Sequence, residues 1–360
     1  MFEFLKRKKQ NFLDTARTVI DCQNGVFYSV FQQLPYVLVF KTTNWCWNNC
    51  AHCCENSGSR MPKSFISESV IKEYIDQACQ DKKFGREIVF TGGEITSSYK
   101  FAGEDYIKNI LNHALNAKCG VDIKTNAGWV NTKLAPKIYS DMEQIVRSQS
   151  ENANGTGIKH IAKLQISLSL DRFHKDSLDR DFKFLEHFAH TDIPGIAFII
   201  SISSFNQDRH MFHELMQQLA QSGIKTNEMF MISSQGNKME RMYDLNGNTI
   251  VKYTEGTLFN GGRAKDIDSA YKTPCPQFTF LNSDYESLIA FDSFGNVTLG
   301  ENSGKKISVP WRDPKSGQPL SLQTIKENLV SAIKSEEQEF LQQNKKMDAY
   351  FKWARRVTQR

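Results

Sequence analysis

The sequence predicts an α/β fold: an open, partial (β/α)6 barrel of the TIM type, with a small α+β extension at its C-terminal end. Three observations carry this. Short apolar, β-rich runs alternate with stretches of helical periodicity between residues 36 and 234. Such alternation implies parallel strands joined by right-handed crossovers. The pattern offers six strand–helix units, too few to close an eight-stranded barrel, so the barrel stays open. Beyond 234 the texture changes to turn signals between short β-like runs, then to one amphipathic helix. The chain of 360 residues is long enough for one large domain or a domain with an appendage. The predicted division is an N-terminal helical segment (1–35), a core barrel (36–234), a hairpin region (235–320) and a helical tail (321–360).

Strand one is expected at 36–43. Ser67 reads as an N-cap, with Val70, Ile71, Tyr74, Ile75 and Ala78 following at helical spacing. Strand two is expected at 87–91. A helix over 103–117 places Tyr106, Ile107, Ile110, Leu111 and Ala114 on one face. Strand three covers 120–126, a helix 133–147, and a polar loop 148–158. Strand four, 163–171, is the most informative: Leu164, Ile166, Leu168 and Leu170 alternate with Gln165, Ser167, Ser169 and Asp171. Period two puts the apolar set under the helices and the polar set in the lumen, where a polar ligand can sit. Strand three repeats the pattern with Asp122, Lys124 and Asn126. A helix at 176–190, strand five at 195–203, a helix at 208–222 and strand six at 227–233 complete the alternation. Two hairpins are expected at the turn signals beginning at Asp244 and Asp292. Ser321 opens an amphipathic helix through Leu322, Ile325, Leu329 and Ile333. The charged tail beyond 334 offers Phe340, Tyr350, Phe351 and Trp353 as anchors.

A formal net charge of +5 is mild. It suits an anionic substrate, but no Lys/Arg tract marks a nucleic-acid binder. The longest apolar runs, 37–40 and 197–200, are far too short to span a bilayer. The basic residues near Met1 precede no apolar run of the signal-peptide kind. Half of the eight cysteines cluster between 46 and 54 instead of forming a spread framework, which favours a reducing compartment and metal chemistry over disulfides. A cytoplasmic protein is expected.

The chemistry is concentrated in residues 43–58. Cys46, Cys50 and Cys53 stand at CxxxCxxC spacing directly after strand one. Closely spaced thiolates hold iron–sulfur clusters, and three ligands for four irons leave one iron open to a small molecule. Zinc is the competing ligand set. However, Cys53 and Cys54 are adjacent, a geometry unsuited to one tetrahedral ion, and the second cysteine knuckle of a structural zinc module is missing. Cys54 therefore reads as a packed thiol.

The cysteine motif, followed by Ile88-Val-Phe-Thr-Gly-Gly-Glu94, resembles the radical S-adenosylmethionine (SAM) superfamily. That resemblance implies the same (β/α)6 architecture, a 4Fe-4S cluster on Cys46, Cys50 and Cys53, and SAM bound at the open iron. It implies reductive cleavage of SAM to a 5′-deoxyadenosyl radical that abstracts a hydrogen atom from the substrate, with an electron donor such as flavodoxin or ferredoxin. The Gly92-Gly93-Glu94 turn is then expected at the methionine amino group, its glycines allowing close backbone approach. Ser169 resembles the family's ligand to the methionine carboxylate, with Ser167 as second choice. Arg180 stands one position short of the basic residue that often pairs with that carboxylate. Asn126, in Lys-Thr-Asn-Ala, resembles the strand-three Thr-Asn-Gly. Trp45 and Trp47 are expected to shield the cluster or stack near adenine, and His52 fills the position before the last cysteine, often occupied by such a shielding residue. Asp171 and His174 resemble a common strand-four ending and read as helix-capping residues.

Gly262-Arg263-Ala264 and the hairpin at 291–299 resemble the auxiliary-cluster (SPASM or twitch) region of peptide-modifying members. Gly300 stands where a second cluster cysteine is expected. A SPASM-like region without its cluster, or a C-terminal cap that binds the substrate, is then expected. Cys275 then reads either as a small buried apolar residue or as a catalytic thiol that returns a hydrogen atom to the substrate radical. Cys22, Cys79 and Cys119 compete for that role, Cys79 and Cys119 from poorer positions. The substrate class this implies is a ribosomally made peptide or small natural-product precursor, with epimerisation, crosslinking or other C–H functionalisation as the outcome. The alternative is a non-catalytic zinc or iron–sulfur regulatory module.

Overall fold

The computed structural model describes residues 35–53, 55–154, 164–174, 176–191, 198–232, 239–247, 249–256, 287–299 and 307–358. Cys22, Cys54, Cys275, Gly262, Arg263, Ala264 and Gly300 lie outside the described residues.

The parallel core starts with β1 (Tyr36–Thr43), buried along its whole length. It pairs with β2 (Phe84–Gly92), which pairs with β3 (Gly120–Thr125), then β4 (Leu164–Ser169) and β5 (Phe198–Phe205), all parallel. Helices α1 (Glu68–Cys79), α2 (Ser98–Phe101), α3 (Tyr106–Asn116), α4 (Ala135–Asn154), α5 (Ser177–His190) and α6 (Arg209–Gln221) lie between or after these strands. Val70, Ile71, Tyr74, Ile75 and Ala78 of α1 are buried, as are Tyr106, Ile107, Ile110, Leu111 and Ala114 of α3. They join the apolar residues of strand four in one core. Ser67 does stand at the N-cap of α1, but its hydroxyl pairs with Ser69 Oγ at 3.3 Å and not with a helix N–H.

Two expectations are corrected. The residues expected as the sixth parallel strand form β6 (Thr226–Ile232), which lies at a sheet edge and pairs antiparallel with β7 (Met239–Leu245). The strand beside β5 is β8 (Thr249–Gly256), parallel to β5 and antiparallel to β7. Chain order misled here, because a hairpin interposes two strands before the chain returns to the sheet. The expected loop at 148–158 is helical over residues 148–154, and its remainder lies outside the described residues.

The C-terminal segment extends the same sheet from the other side. Strand β9 (Ser287–Asp292) runs parallel to β1 over six residue pairs and turns through a hairpin into β10 (Asn296–Leu299), which pairs with β11 (Ile307–Pro310). Both expected hairpin turns, after Asp244 and Asp292, are present. The described strands form one open sheet in the order β11-β10-β9-β1-β2-β3-β4-β5-β8-β7-β6. Helix α7 (Leu322–Gln343) is tied back to α1 through Leu322 N to Gln77 Oε1 at 2.6 Å and Lys326 to Asp81. Tyr74 donates its hydroxyl to the Leu320 carbonyl at 2.9 Å. Helix α8 (Lys345–Thr358) closes the described chain. No described helix is long and apolar enough to cross a membrane.

Register places the polar residues in rows across the face opposite the helices. Lys124, Ser167, Ser201 and Lys252 are neighbours on four adjacent strands, and Ser169, Ser203 and Thr254 form the next row. The two sides of strand four separate as its alternation requires.

Candidate active site

The site sits where β1 and β2 end. The chain leaves β1 through Asn44 and Trp45 into the cysteine loop, and the Gly92-Gly93-Glu94 turn grips that exit. Gly93 N–H donates to the Thr43 carbonyl at 2.6 Å and Glu94 N–H to the Trp45 carbonyl at 2.9 Å. An added Cβ on Gly92, whose φ is +123°, would stand 2.4 Å from Thr43 O, and one on Gly93 would stand 2.0 Å from Trp45 O. Both glycines are thus demanded by backbone against backbone. On the other side, Gly58 N–H bonds Asn44 O and Cys46 N–H bonds Gly58 O, each at 3.3 Å.

Glu94 is fully buried. Its carboxylate accepts from Thr96 N (3.2 Å), Thr96 Oγ1 (2.7 Å), Thr125 Oγ1 (2.8 Å) and Asn126 N (2.9 Å). The side chain therefore joins the end of β2 to the end of β3. The Thr at position +2 from Glu94 and the Thr-Asn pair ending strand three were the sequence signals for this.

Asn126 is aimed at the cysteine loop. Its Nδ2 donates to Cys46 Sγ at 3.2 Å, and its Oδ1 accepts from Gly128 N at 2.8 Å. Cys46 also receives Asn48 N–H at 3.4 Å, and Cys53 receives Ser57 N–H at 3.3 Å. N–H donors converging on sulfur are what electron-rich thiolate ligands require. Cys46 is buried, and that burial, with Glu94 nearby, pushes its thiol up to about 12. A sulfur so placed ionises readily only beside positive charge, which a metal centre supplies.

Arg180, on α5, is buried and donates Nη1 to the Asn126 carbonyl at 2.5 Å, while its Nη2 has no hydrogen-bond partner among the described residues. A Cβ on Gly128 would lie 3.6 Å from both Arg180 Nη1 and Trp47 Cδ1, so Asn126, Gly128, Arg180 and Trp47 share one neighbourhood. Trp47 packs edge-on to Trp45 with ring centroids 4.6 Å apart, and Trp45 likewise meets Phe101 at 4.8 Å. These rings wall the cysteine loop on one side. Ser167 is committed elsewhere, donating to Asp122 Oδ1 at 2.7 Å and accepting from Gln165 at 3.1 Å. Ser169 lies one register row nearer the strand end.

A cluster of side chains that the sequence did not bring together flanks the loop. Asp171 Oδ1 accepts from Phe173 N and His174 N, closing a turn and not capping a helix as expected, since the N-cap of α5 is Asp176. Its Oδ2 meets His174 Nδ1 at 2.8 Å and His52 Nε2 at 3.8 Å. The His52 ring packs edge-on to His174 at 4.6 Å and tilted to Phe173 at 5.1 Å. Burial alone would lower His174; hydrogen bonds to Asp171 and Cys50 outweigh it and raise the imidazole to about 10. Burial would raise Asp171, and the same bond to His174 holds it below the usual carboxylate range.

Three cysteines stand at the exit of a parallel strand, Cys46 and Cys53 with N–H donors on their sulfurs and aromatic rings alongside, a donor set of the kind a thiolate metal site uses. Residues 40–147 match the family model of the Radical SAM superfamily. The superfamily works with a 4Fe-4S cluster and SAM. The donor set fits: three thiols for the cluster, with Arg180 Nη2 as a buried cationic donor still to be matched beside Asn126. Among solved structures, Streptococcus suis SuiB bound to precursor peptide SuiA is 15% identical, covering 84% of this chain and 67% of its own, with a TM-score of 0.37. Streptococcus suis SuiB alone is 12% identical, with a TM-score of 0.34 over 73% of this chain and 60% of its own. Native anSMEcpe with bound AdoMet is 12% identical, covering 84% of this chain and 82% of its own, with a TM-score of 0.42. No curated protein matches the chain.

Proposed function

We propose that this chain is a radical SAM enzyme acting on a peptide or a small natural-product precursor. The observation that carries the reading is the cysteine loop itself: Cys46, Cys50 and Cys53 gathered at the β1 exit, with Asn126, Asn48 and Ser57 donating to their sulfurs. In this reading these cysteines hold the 4Fe-4S cluster. Bound there, the cluster and SAM supply an electron and a carbon-centred radical able to take a hydrogen atom from an unactivated carbon. The chain's own residues bind and orient. The Gly92-Gly93-Glu94 turn fixes the loop and offers backbone groups at the amino end of SAM. Asn126, Ser169 and Arg180 provide donors for its carboxylate, with Arg180 the buried cation. Trp45, Trp47 and Phe101 exclude water on one flank. The polar rows with Lys124, Ser167, Ser201 and Lys252 then line the substrate side. The sequence resemblance of 262–264 and 291–299 to the SPASM or twitch region favours the peptide class, and a flavodoxin or ferredoxin would deliver the electron. Cys275 is kept as a proposed hydrogen-atom donor. Its test is a Cys275→Ala enzyme that still forms 5′-deoxyadenosine but loses product.

The test of the whole reading is anaerobic reconstitution with iron and sulfide, reduction, addition of SAM, and mass spectrometry for 5′-deoxyadenosine. Four irons per wild-type chain and nucleoside formation, both lost in Cys50→Ala and kept in Cys54→Ala, support it. One zinc per chain and no cluster would replace it with a structural zinc module.

A further inference from the structure

We infer that the face beside the cysteine loop, where Lys63 and Lys100 stand over Phe101 and Trp47, is the docking surface for a small acidic electron-carrier protein. This rests on the ligand assignment above and names where the electron donor meets the chain.

The surface begins at the loop itself. Between the cysteines, Asn49 and Ala51 are exposed. The half-buried rings of Trp47 and Phe101 each pack edge-on to the buried Trp45. Lys63 Nζ lies 4.7 Å from the centre of the Phe101 ring. Lys100 Nζ lies 5.6 Å from the same ring and 5.8 Å from that of Trp47. Two separate segments thus bring their cations to one set of rings. Arg60 is exposed on the segment that leads to Lys63.

Arg60, Lys63 and Lys100 make no ion pair among the described residues. Lysines on the helices are taken up differently: Lys72 pairs with Glu68, Lys137 with Asp141 and Lys183 with Asp179. The exposed acids following Phe101 are Glu104 and Asp105, and Asp105 is paired with Lys108 at 3.4 Å. A cation over an exposed ring makes only a weak contact and keeps its charge. The patch therefore has an aromatic centre and an unneutralised cationic rim. Such a field steers an anionic partner and orients it on arrival. None of the three cations lies on a strand, so the patch is not part of the polar strand rows given to substrate. Trp45 and Trp47 flank Cys46 in the chain, so these rings separate a docked partner from the cysteine loop. That position suits electron delivery. One electron passes from the carrier, which is oxidised, to the cluster, which is reduced, and no bond is made or broken.

The first test is positional and needs no cluster. The metal-free and the reconstituted chain are each mixed with an acidic flavodoxin at low ionic strength and treated with a water-soluble carbodiimide. This joins a lysine amine to a carboxylate as an amide, and the carbodiimide takes up the water as a urea. Peptide mass mapping should place the cross-links at Lys63 and Lys100; cross-links confined to other lysines would overturn the proposal. The second test is stopped-flow reduction of the reconstituted enzyme by the flavodoxin hydroquinone, which gives up one electron and becomes the semiquinone. Lys63→Gln/Lys100→Gln should keep its iron and reach the wild-type extent of reduction with dithionite. Its reduction by flavodoxin should be about tenfold slower at low salt, with the difference closing at high salt. Lys63→Arg/Lys100→Arg keeps both charges and should react at the wild-type rate. Lys82→Gln/Lys118→Gln removes the same charge just before β2 and β3, at the opposite end of those strands from the cysteine loop, and should also match wild type. An equal loss in this control would assign the effect to net charge. An unchanged rate in Lys63→Gln/Lys100→Gln would turn the patch over to an acidic peptide. Either result would overturn the proposal and leave the ligand assignment standing. A wild-type chain that takes up no cluster would end both readings.

Discussion

The closest test of the architecture is Gly93→Ala. The added methyl would lie 2.0 Å from Trp45 O, 2.6 Å from Trp45 C and 2.9 Å from Asn44 C, all backbone atoms of the cysteine-loop stem. No rotamer relieves this, so the stem and the turn must part. Parting them stretches the Gly93 N–Thr43 O and Glu94 N–Trp45 O bonds, at 2.6 and 2.9 Å. Overpacking costs about 1–3 kcal/mol and each backbone bond about 1 kcal/mol, so the loss should reach roughly 3–5 kcal/mol. That is a large share of a typical domain's stability, about 5–15 kcal/mol. The assay is urea unfolding of the metal-free protein, alongside iron counting after reconstitution. Gly223→Ala is the control: its φ is +87° but nothing lies within 4 Å of the added Cβ, so it should lose only about 1 kcal/mol and keep its iron. A Gly93→Ala protein that unfolds within about 1 kcal/mol of the control and binds four irons would refute the argument that the turn clamps the loop.

Other consequences can be checked more quickly. Asp181 on α5 is fully buried, its carboxyl oxygens have no hydrogen-bond partner among the described residues, and burial raises its pKa well above the ordinary value. A folded-state pKa raised in this way means that stability falls as pH rises above the unfolded carboxylate value. Asp181→Leu should therefore gain on wild type between pH 5 and pH 8 in urea unfolding, by about 1–3 kcal/mol at the upper end. Parallel curves for the two proteins would mean the carboxyl is not neutral when folded. Asn126→Ala removes the donor to Cys46 and the acceptor for Gly128 N–H, and should destabilise the metal-free chain by about 1–3 kcal/mol. Denaturation midpoints equal to wild type would contradict those bonds. Cys119 is fully buried, with its Sγ 3.8 Å from Cys79 Sγ, and burial pushes its thiol up to about 12. Iodoacetamide at pH 8 should leave Cys119 unmodified in the folded protein and label it in urea, as read by peptide mass mapping.

The parts that the sequence made legible are those where one local period carries the information. In strand four, leucine and isoleucine at every second position reach the core, and the residues between them pair across the polar face. In α1 and α3 the apolar stripe is the buried face. Where the answer depended on chain order, it failed. Residues 226–232 and 249–256 are both β-rich, and periodicity cannot say which one lies beside β5. That choice is made by the β6–β7–β8 hairpins folding back, and it leaves Phe230 at 56% exposure on the edge strand. The loop expected after 147 failed for a different reason. Ser-Gln-Ser-Glu-Asn-Ala-Asn has no apolar stripe, yet it holds no Gly or Pro to stop a helix already begun, and α4 runs through it.

The site divides along the same line. The cysteine spacing and the Gly-Gly-Glu turn are local patterns, and a local reading finds them. That Glu94 spends its carboxylate on Thr96, Thr125 and Asn126 follows from β2 and β3 ending side by side, a consequence of topology. The Asp171–His174 pair looked like a helix cap because Asp171 does cap the turn with one oxygen. Its second oxygen, turned toward His174 and His52, acts across a separation of some 120 residues that no window of sequence spans. One carboxylate thus does a local job that sequence can read and a long-range one that it hides. A turn-closing carboxylate whose second oxygen meets a histidine beside the cysteine loop is therefore worth checking for a role beyond the turn. In this fold the ends of the parallel strands are where such pairs meet, because β1 delivers the cysteines and β4 delivers Asp171 to the same end of the sheet.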